Sequence, residues 1–160
     1  MARTPTTDIP LGFEAPFFAL TDAVTGNTVT SDDVFAGGPA VVVFMCNHCP
    51  FVVHILEVFV AFASECRDKG VNVVAISSND VANYPQDGFE NMQALAKHHG
   101  FTFPYLYDES QEVARAYDAA CTPDSVTLMA WQMPSRPSTP SVSCPTIAVI
   151  SAKVESIPDS

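Results

Sequence analysis

The sequence predicts an α/β protein: a mostly parallel sheet covered by helices. Two apolar runs, residues 40–45 and 71–76, each bounded by Gly or a turn, read as buried strands. Between them the apolar positions recur at helical spacing. Further on, helix-like and extended segments alternate again, as βαβ units require. At 160 residues the length is that of one domain, and 48% hydrophobic against 16% charged residues provides for a buried core.

Residues 1–16 are rich in Pro and Thr, with little periodicity. Phe17-Phe18-Ala19-Leu20 is a strand candidate, Thr25-Gly26-Asn27 a turn, and Thr28-Val29-Thr30 a returning strand. Gly37-Gly38-Pro39 breaks the chain before the first buried run. From Pro50, a helix carries Val52, Ile55, Leu56, Phe59, Ala63 and Cys66 on one stripe. Pro50 brings the fixed φ favoured in a first turn, and Gly70 stops the helix. Asp87 and Glu90 have capping-box spacing before a helix over 89–99, which Gly100 ends. In 103–107, Pro104 predicts an edge or irregular strand. Asp108 is expected to cap a helix through Tyr117, with Gln111 three residues on.

The net charge of −11 disfavours nucleic acid and anionic membrane partners, which select basic patches. No run reaches the roughly 18 apolar residues of a membrane span. Residues 1–8 lack the apolar core of a signal peptide, so the expected compartment is the cytoplasm. There a close cysteine pair is more often catalytic or metal-binding than a structural staple, and five cysteines cannot all pair.

Function is concentrated in Cys46-Asn47-His48-Cys49-Pro50-Phe51. Two thiols three positions apart stand where a buried strand turns into a helix. A helix N-terminus carries about half a positive charge and unpaired N–H groups, and both stabilise a thiolate. The thiolate is the nucleophile of disulfide and peroxide chemistry. Metal binding is the competing use of such a pair. Zinc wants four ligands, and His48 lies between the cysteines with no second Cys-x-x-Cys in the chain. His48 either lowers a thiol pKa as a cation or fills the turn. His54 reads as exposed, His98-His99 as a favourable helix end, and Cys66 as core. Asn79 and Asp80 follow a strand end and read as a loop cap.

Phe44-Met45-Cys46-Asn47-His48-Cys49-Pro50-Phe51-Val52, Ser78-Asn79-Asp80, residues 103–108 and Cys121-Thr122-Pro123-Asp124 resemble the peroxiredoxin-like proteins of the alkyl hydroperoxide reductase and thiol-specific antioxidant group, within the thioredoxin superfamily. The resemblance covers roughly residues 9–124. It implies a thioredoxin-like fold, a central mixed β-sheet flanked by helices, and a thiol-dependent oxidoreductase with no organic cofactor. A thiol or disulfide substrate, or a peroxide, would be its partner, with electrons from a dithiol protein or a small thiol.

In that alignment Cys49 takes the place of the attacking thiol, since four residues separate it from Phe44, and Cys46 becomes its upstream resolving partner. Thr122-Pro123 resembles the cis-proline segment facing the active cysteine, and Cys121 beside it is the alternative resolving thiol. The resemblance fails at one point. Peroxiredoxins place Thr or Ser three residues before the cysteine and Pro seven before; for Cys49 these are Cys46 and Val42, and for Cys46 they are Val43 and Pro39. The hydroxyl that orients a peroxide is missing in both registers, which counts against efficient peroxidase activity.

Composition shifts after Asp124. Of the 36 residues 125–160, 8 are Ser, 3 Thr and 5 Pro, so 1–124 reads as a redoxin domain incomplete at its C-terminal end and 125–160 as an atypical tail. Two apolar pieces survive there, 126–131 and 146–150, and Cys144 has no evident role. The hairpin and closing helix that the resemblance implies are altered or missing, as a shifted reading frame would produce. The alternatives to an active redoxin are therefore a metal- or partner-binding module without turnover and an inactive truncated copy.

Overall fold

The structure, a computed structural model, describes residues 15–36 and 38–119 and the backbone of 127–131. The strands are β1 (Ala19–Asp22), β2 (Thr28–Thr30), β3 (Ala40–Phe44), β4 (Asn72–Ser77), β5 (Tyr105–Tyr107) and β6 (Thr127–Trp131). The helices are α1 (Ser31–Phe35), α2 (Pro50–Asp68), α3 (Phe89–His99) and α4 (Glu112–Ala116). Among the described residues the strands form one sheet in the order β2-β1-β5-β4-β3-β6. The central pairs β3–β4 and β4–β5 are parallel, and the flanking pairs are antiparallel. The mixed, helix-flanked sheet that the resemblance implies is what forms; the mostly parallel sheet read from the alternation of elements is not, since two of the five described pairings are parallel.

β3 explains the layering. Every residue of it is buried, so it shows no polar alternation, as a strand covered on both faces should. Successive side chains point to opposite faces. Val41, Val43 and Met45 join the α2 and α3 residues Val52, Leu56, Phe59, Ala63, Cys66, Met92 and Ala96 in one core. Ala40, Val42 and Phe44 join Val34, Phe35, Ala114 and Tyr117 of the α1 and α4 regions in the other. Each fully buried large apolar chain contributes about 1.5–3 kcal/mol, so the α2 stripe fixes that helix against the sheet and holds its N-terminus at the end of β3.

Four local expectations change. α1 was not predicted; a capping box builds it, with Thr30 Oγ1 accepting from Asp33 N at 3.2 Å and Asp33 Oδ2 accepting from Thr30 N at 3.0 Å. β5 is not an edge strand but lies between β1 and β4. Pro104 precedes its first residue, so the missing N–H costs no ladder bond, and the Pro104 carbonyl accepts from Ala75 N at 3.0 Å. Asp108 does not head a helix reaching Tyr117. The helix is the five-residue α4, and buried Asp108 accepts from Ala114 N at 3.0 Å, Ser78 Oγ at 2.9 Å and Ser110 Oγ at 3.2 Å. The fourth change, at Asp87, belongs to the site.

The first apolar piece after Asp124 is β6, antiparallel to β3 with Val42 opposite Met129. Cys121, Thr122, Pro123 and Cys144 lie outside the described residues, as do 125–126 and 132–160. No described helix is long and apolar enough to cross a membrane.

Candidate active site

β3 ends at Phe44, and Met45 N still donates to Ile76 O at 3.0 Å before the chain turns through Cys46, Asn47, His48 and Cys49. Cys49 is the N-cap of α2 and Pro50 follows inside its first turn; Cys49 O accepts the first helical bond from Val53 N at 3.0 Å. Pro at this position wastes no donor, because the first N–H groups have no partner within the helix. Both thiols are enclosed, Cys46 with 7% and Cys49 with 2% of its surface exposed. The structure thus places the two sequence-predicted cysteines together where the 19-residue α2 presents its positive end.

The turn is held by a residue the sequence assigned elsewhere. Asp87 was expected to cap α3. The N-cap is Gly88 instead, without a side-chain bond, because a 3-10 turn at Pro85–Asp87 aims the Asp87 carboxylate away from its own helix. The fully buried carboxylate accepts from Asn47 N at 2.7 Å and His48 N at 3.2 Å on Oδ1. On Oδ2 it meets His48 Nδ1 at 2.6 Å and accepts from Asn79 Nδ2 at 2.7 Å. These four contacts compensate the burial of the carboxylate. Because Oδ2 is best used as an acceptor, the geometry assigns Nδ1 of His48 as the protonated nitrogen.

Asn47 carries the grip further. Its Nδ2 donates to Gln86 O at 3.0 Å, and its Oδ1 accepts from Tyr105 Oη at 2.8 Å. His48 lies flat on Tyr84, with ring centroids 4.8 Å apart and planes 9° apart. His48 thus fills the turn, one of its two expected uses, and it also faces a carboxylate. Asn79 is drawn into the site, whereas Asp80 stays a loop cap, accepting from Ala82 N at 3.0 Å. His54 is exposed and Cys66 is core, as expected.

The electrostatics separate the two thiols' surroundings. Burial pushes the Cys46 thiol up from 9.0 to about 11, and the Asp87 carboxylate adds to the effect, while N–H groups of Cys49 and His48 pull the other way. Cys46 is therefore protonated at neutral pH. Cys46, His48 and Asp87 bring a sulfur, a ring nitrogen and a carboxylate oxygen within 4.8 Å of one another. A cation could be imagined there, but both carboxylate oxygens are taken by N–H donors and Nδ1 is taken by Oδ2, so the cluster is satisfied as protein alone.

Sequence reasoning missed Asp87 as a site residue, together with Tyr84 and Tyr105. The first stands 40 positions from Asn47 and the last 58 from it, and nothing in the spacing of the chain links them. The visible signal was Asp87 itself, a carboxylate at a helix start, read for its commonest local use.

Comparison with known proteins agrees with this fold. An uncharacterized conserved protein from Geobacillus kaustophilus is 46% identical, with a TM-score of 0.75 over 82% of this chain and 69% of its own. A hypothetical protein from Sinorhizobium meliloti is 40% identical, with a TM-score of 0.75 over 81% of this chain and 69% of its own. A peroxidoxin from Mycobacterium tuberculosis, 20% identical, shares the fold at a TM-score of 0.63 over 78% of this chain and 80% of its own. No curated protein matches. The AhpC/TSA family matches over residues 11–154, beyond the span of the resemblance read from sequence, and the chain belongs to that family with a thioredoxin-like fold.

Proposed function

We propose that the chain is a thiol–disulfide oxidoreductase in which Cys49 attacks and Cys46 resolves. The observation that supports this most is the unequal pair at the start of α2. Cys49 occupies the N-cap, at the positive end of α2. Cys46 lies beside a carboxylate and holds its proton, which suits a thiol used second.

The Cys49 thiolate attacks one sulfur of a substrate disulfide; a Cys49–substrate S–S bond forms, and the other half departs as a thiolate that picks up a proton. Cys46 then attacks Cys49 Sγ, the Cys46–Cys49 bond forms, and the second half leaves as a thiol. The substrate gains two electrons and the enzyme pair loses two. A dithiol protein or small thiol restores the pair. With a peroxide the first step would give a Cys49 sulfenic acid, which Cys46 converts to the same disulfide with loss of water. The absence of a Thr or Ser three residues before Cys49 makes disulfides the favoured substrates. By resemblance, Thr122 and Pro123 shape the substrate groove and Cys121 is the alternative resolving thiol.

The test is reduction of a disulfide substrate. Cys49→Ser is expected to abolish it and Cys66→Ser to leave it intact; equal activity in Cys49→Ser and the parent chain overturns the reading. Mass spectrometry of peptides after mild oxidation identifies the disulfide, expected between Cys46 and Cys49 and not involving Cys121.

A further inference from the structure

Cys46 presents a difficulty that the fold itself addresses. A thiol attacks as thiolate, yet this one is enclosed beside a buried carboxylate and stays protonated at neutral pH. The second step therefore needs a proton acceptor within reach. The Cys46 sulfur, a ring nitrogen of His48 and an oxygen of Asp87 lie within 4.8 Å of one another, which is contact or the span of one bridging water. We propose that the His48–Asp87 pair takes the proton from Cys46 as that thiol attacks the Cys49 mixed disulfide, and gives it to the departing thiolate. The assignment rests on the thiol reading above and adds two residues to it: His48 as the acceptor and Asp87 as the residue that positions it.

The geometry supports each role. Asp87 does not swing, because two backbone N–H groups and Asn79 Nδ2 fix it independently of the imidazole. It holds His48 at Nδ1 with a 2.6 Å contact, so the Cys46 proton has to arrive at Nε2, directly or through a water. An imidazolium formed there would sit against a carboxylate already in place. Tyr84 stacks on the ring and fixes its plane. The His48 side chain is 21% exposed and the Asp87 side chain 0%, so the imidazole connects an enclosed thiol to solvent. The titratable groups near the pair are Cys46 from the turn, with Cys49 beside it, Tyr84 from the loop after β4, and Tyr105 of β5, which interacts with both Asp87 and Cys46 and bonds Asn47. In atoms, the S–H bond of Cys46 breaks, its proton goes to the imidazole, the Cys46–Cys49 bond forms, and the Cys49–substrate bond breaks to a thiolate that accepts the proton. The two electrons leave with the substrate.

The aryl disulfide dithiobis-nitrobenzoate reads the steps separately, because attack by Cys49 releases one coloured thionitrobenzoate and resolution by Cys46 releases the second. The experiment uses the full chain carrying Cys121→Ser and Cys144→Ser, with and without His48→Ala or His48→Gln. In both His48 variants the first release is expected within about twofold of the parent, with the second slowed about 100-fold at neutral pH. Added imidazole should restore the second release in His48→Ala, and raising the pH toward that of the Cys46 thiol should restore it in both. An unchanged second release, or equal slowing of both releases without rescue by imidazole, overturns the assignment. A parent chain that makes the first release but no second overturns it as well, by excluding Cys46 as the resolving thiol. A parent chain with no first release, or a first release that survives Cys49→Ser, sinks the thiol reading and this assignment together.

Discussion

Asp87 and Asp108 look alike in sequence and do different work. Each begins an Asp-x-x-Glu/Gln pattern ahead of a helical stretch, and each ends fully buried. Asp108 still serves its own helix: it bonds α4 at Ala114, and it also reaches Ser78, 30 positions earlier and just past β4. Asp87 leaves α3 uncapped and holds the Cys46–Cys49 turn some 40 residues earlier in the chain. One carboxylate closes a loop; the other holds the cysteine-bearing turn. A capping pattern therefore identifies a residue that needs donors, and the surrounding fold decides which donors it gets.

The comparison is broken most directly by removing each carboxylate. Asp87→Ala leaves two backbone N–H groups and an imidazole without an acceptor, and should cost about 3 kcal/mol of stability and most disulfide-reducing activity. Asp108→Ala should cost about 2 kcal/mol yet leave the activity of the folded protein unchanged. Urea titrations paired with single-turnover rates check both; an Asp108→Ala protein as inactive as Asp87→Ala removes the distinction.

A second, smaller effect is in the pH dependence of stability. The folded state holds the Cys46 proton up to about 11, whereas an unfolded thiol releases it near 9.0. Below that range Cys46 adds no slope. As pH rises through it, the unfolded chain loses the proton first and stability falls, by about 2–3 kcal/mol in full. Cys46→Ser should flatten this alkaline limb, while Cys66→Ser should leave most of it, as urea midpoints at successive pH values would show. No change in slope with Cys46→Ser contradicts the enclosed, carboxylate-facing thiol.

The smallest effect sharpens the picture of the turn. Tyr105→Phe removes one hydrogen bond, from Tyr105 Oη to Asn47 Oδ1, and should cost about 1 kcal/mol by thermal melting. Its influence on the thiols should be slight, since Asp87 still holds the Asn47 and His48 backbone. A large loss of activity would show that Tyr105, rather than Asp87, fixes the turn.

By itself the sequence determined the layered frame and the candidate thiol pair. Residues 40–45 and 71–76 are apolar without alternation, and the stripe from Val52 to Cys66 has helical period; burial of those faces admits few arrangements. Cys46, Cys49 and Pro50 were legible because their chemistry depends on neighbours in the chain: a strand end, a turn and a helix start. Only the tertiary structure decided what surrounds the thiols. Pro104 could not reveal that β5 lies inside the sheet, because strand order is set by pairing across the fold. Nor could Asp87 reveal that it bonds Asn47 and His48. A buried carboxylate takes whichever donors the packing brings to it, and here packing brings the thiol-bearing turn.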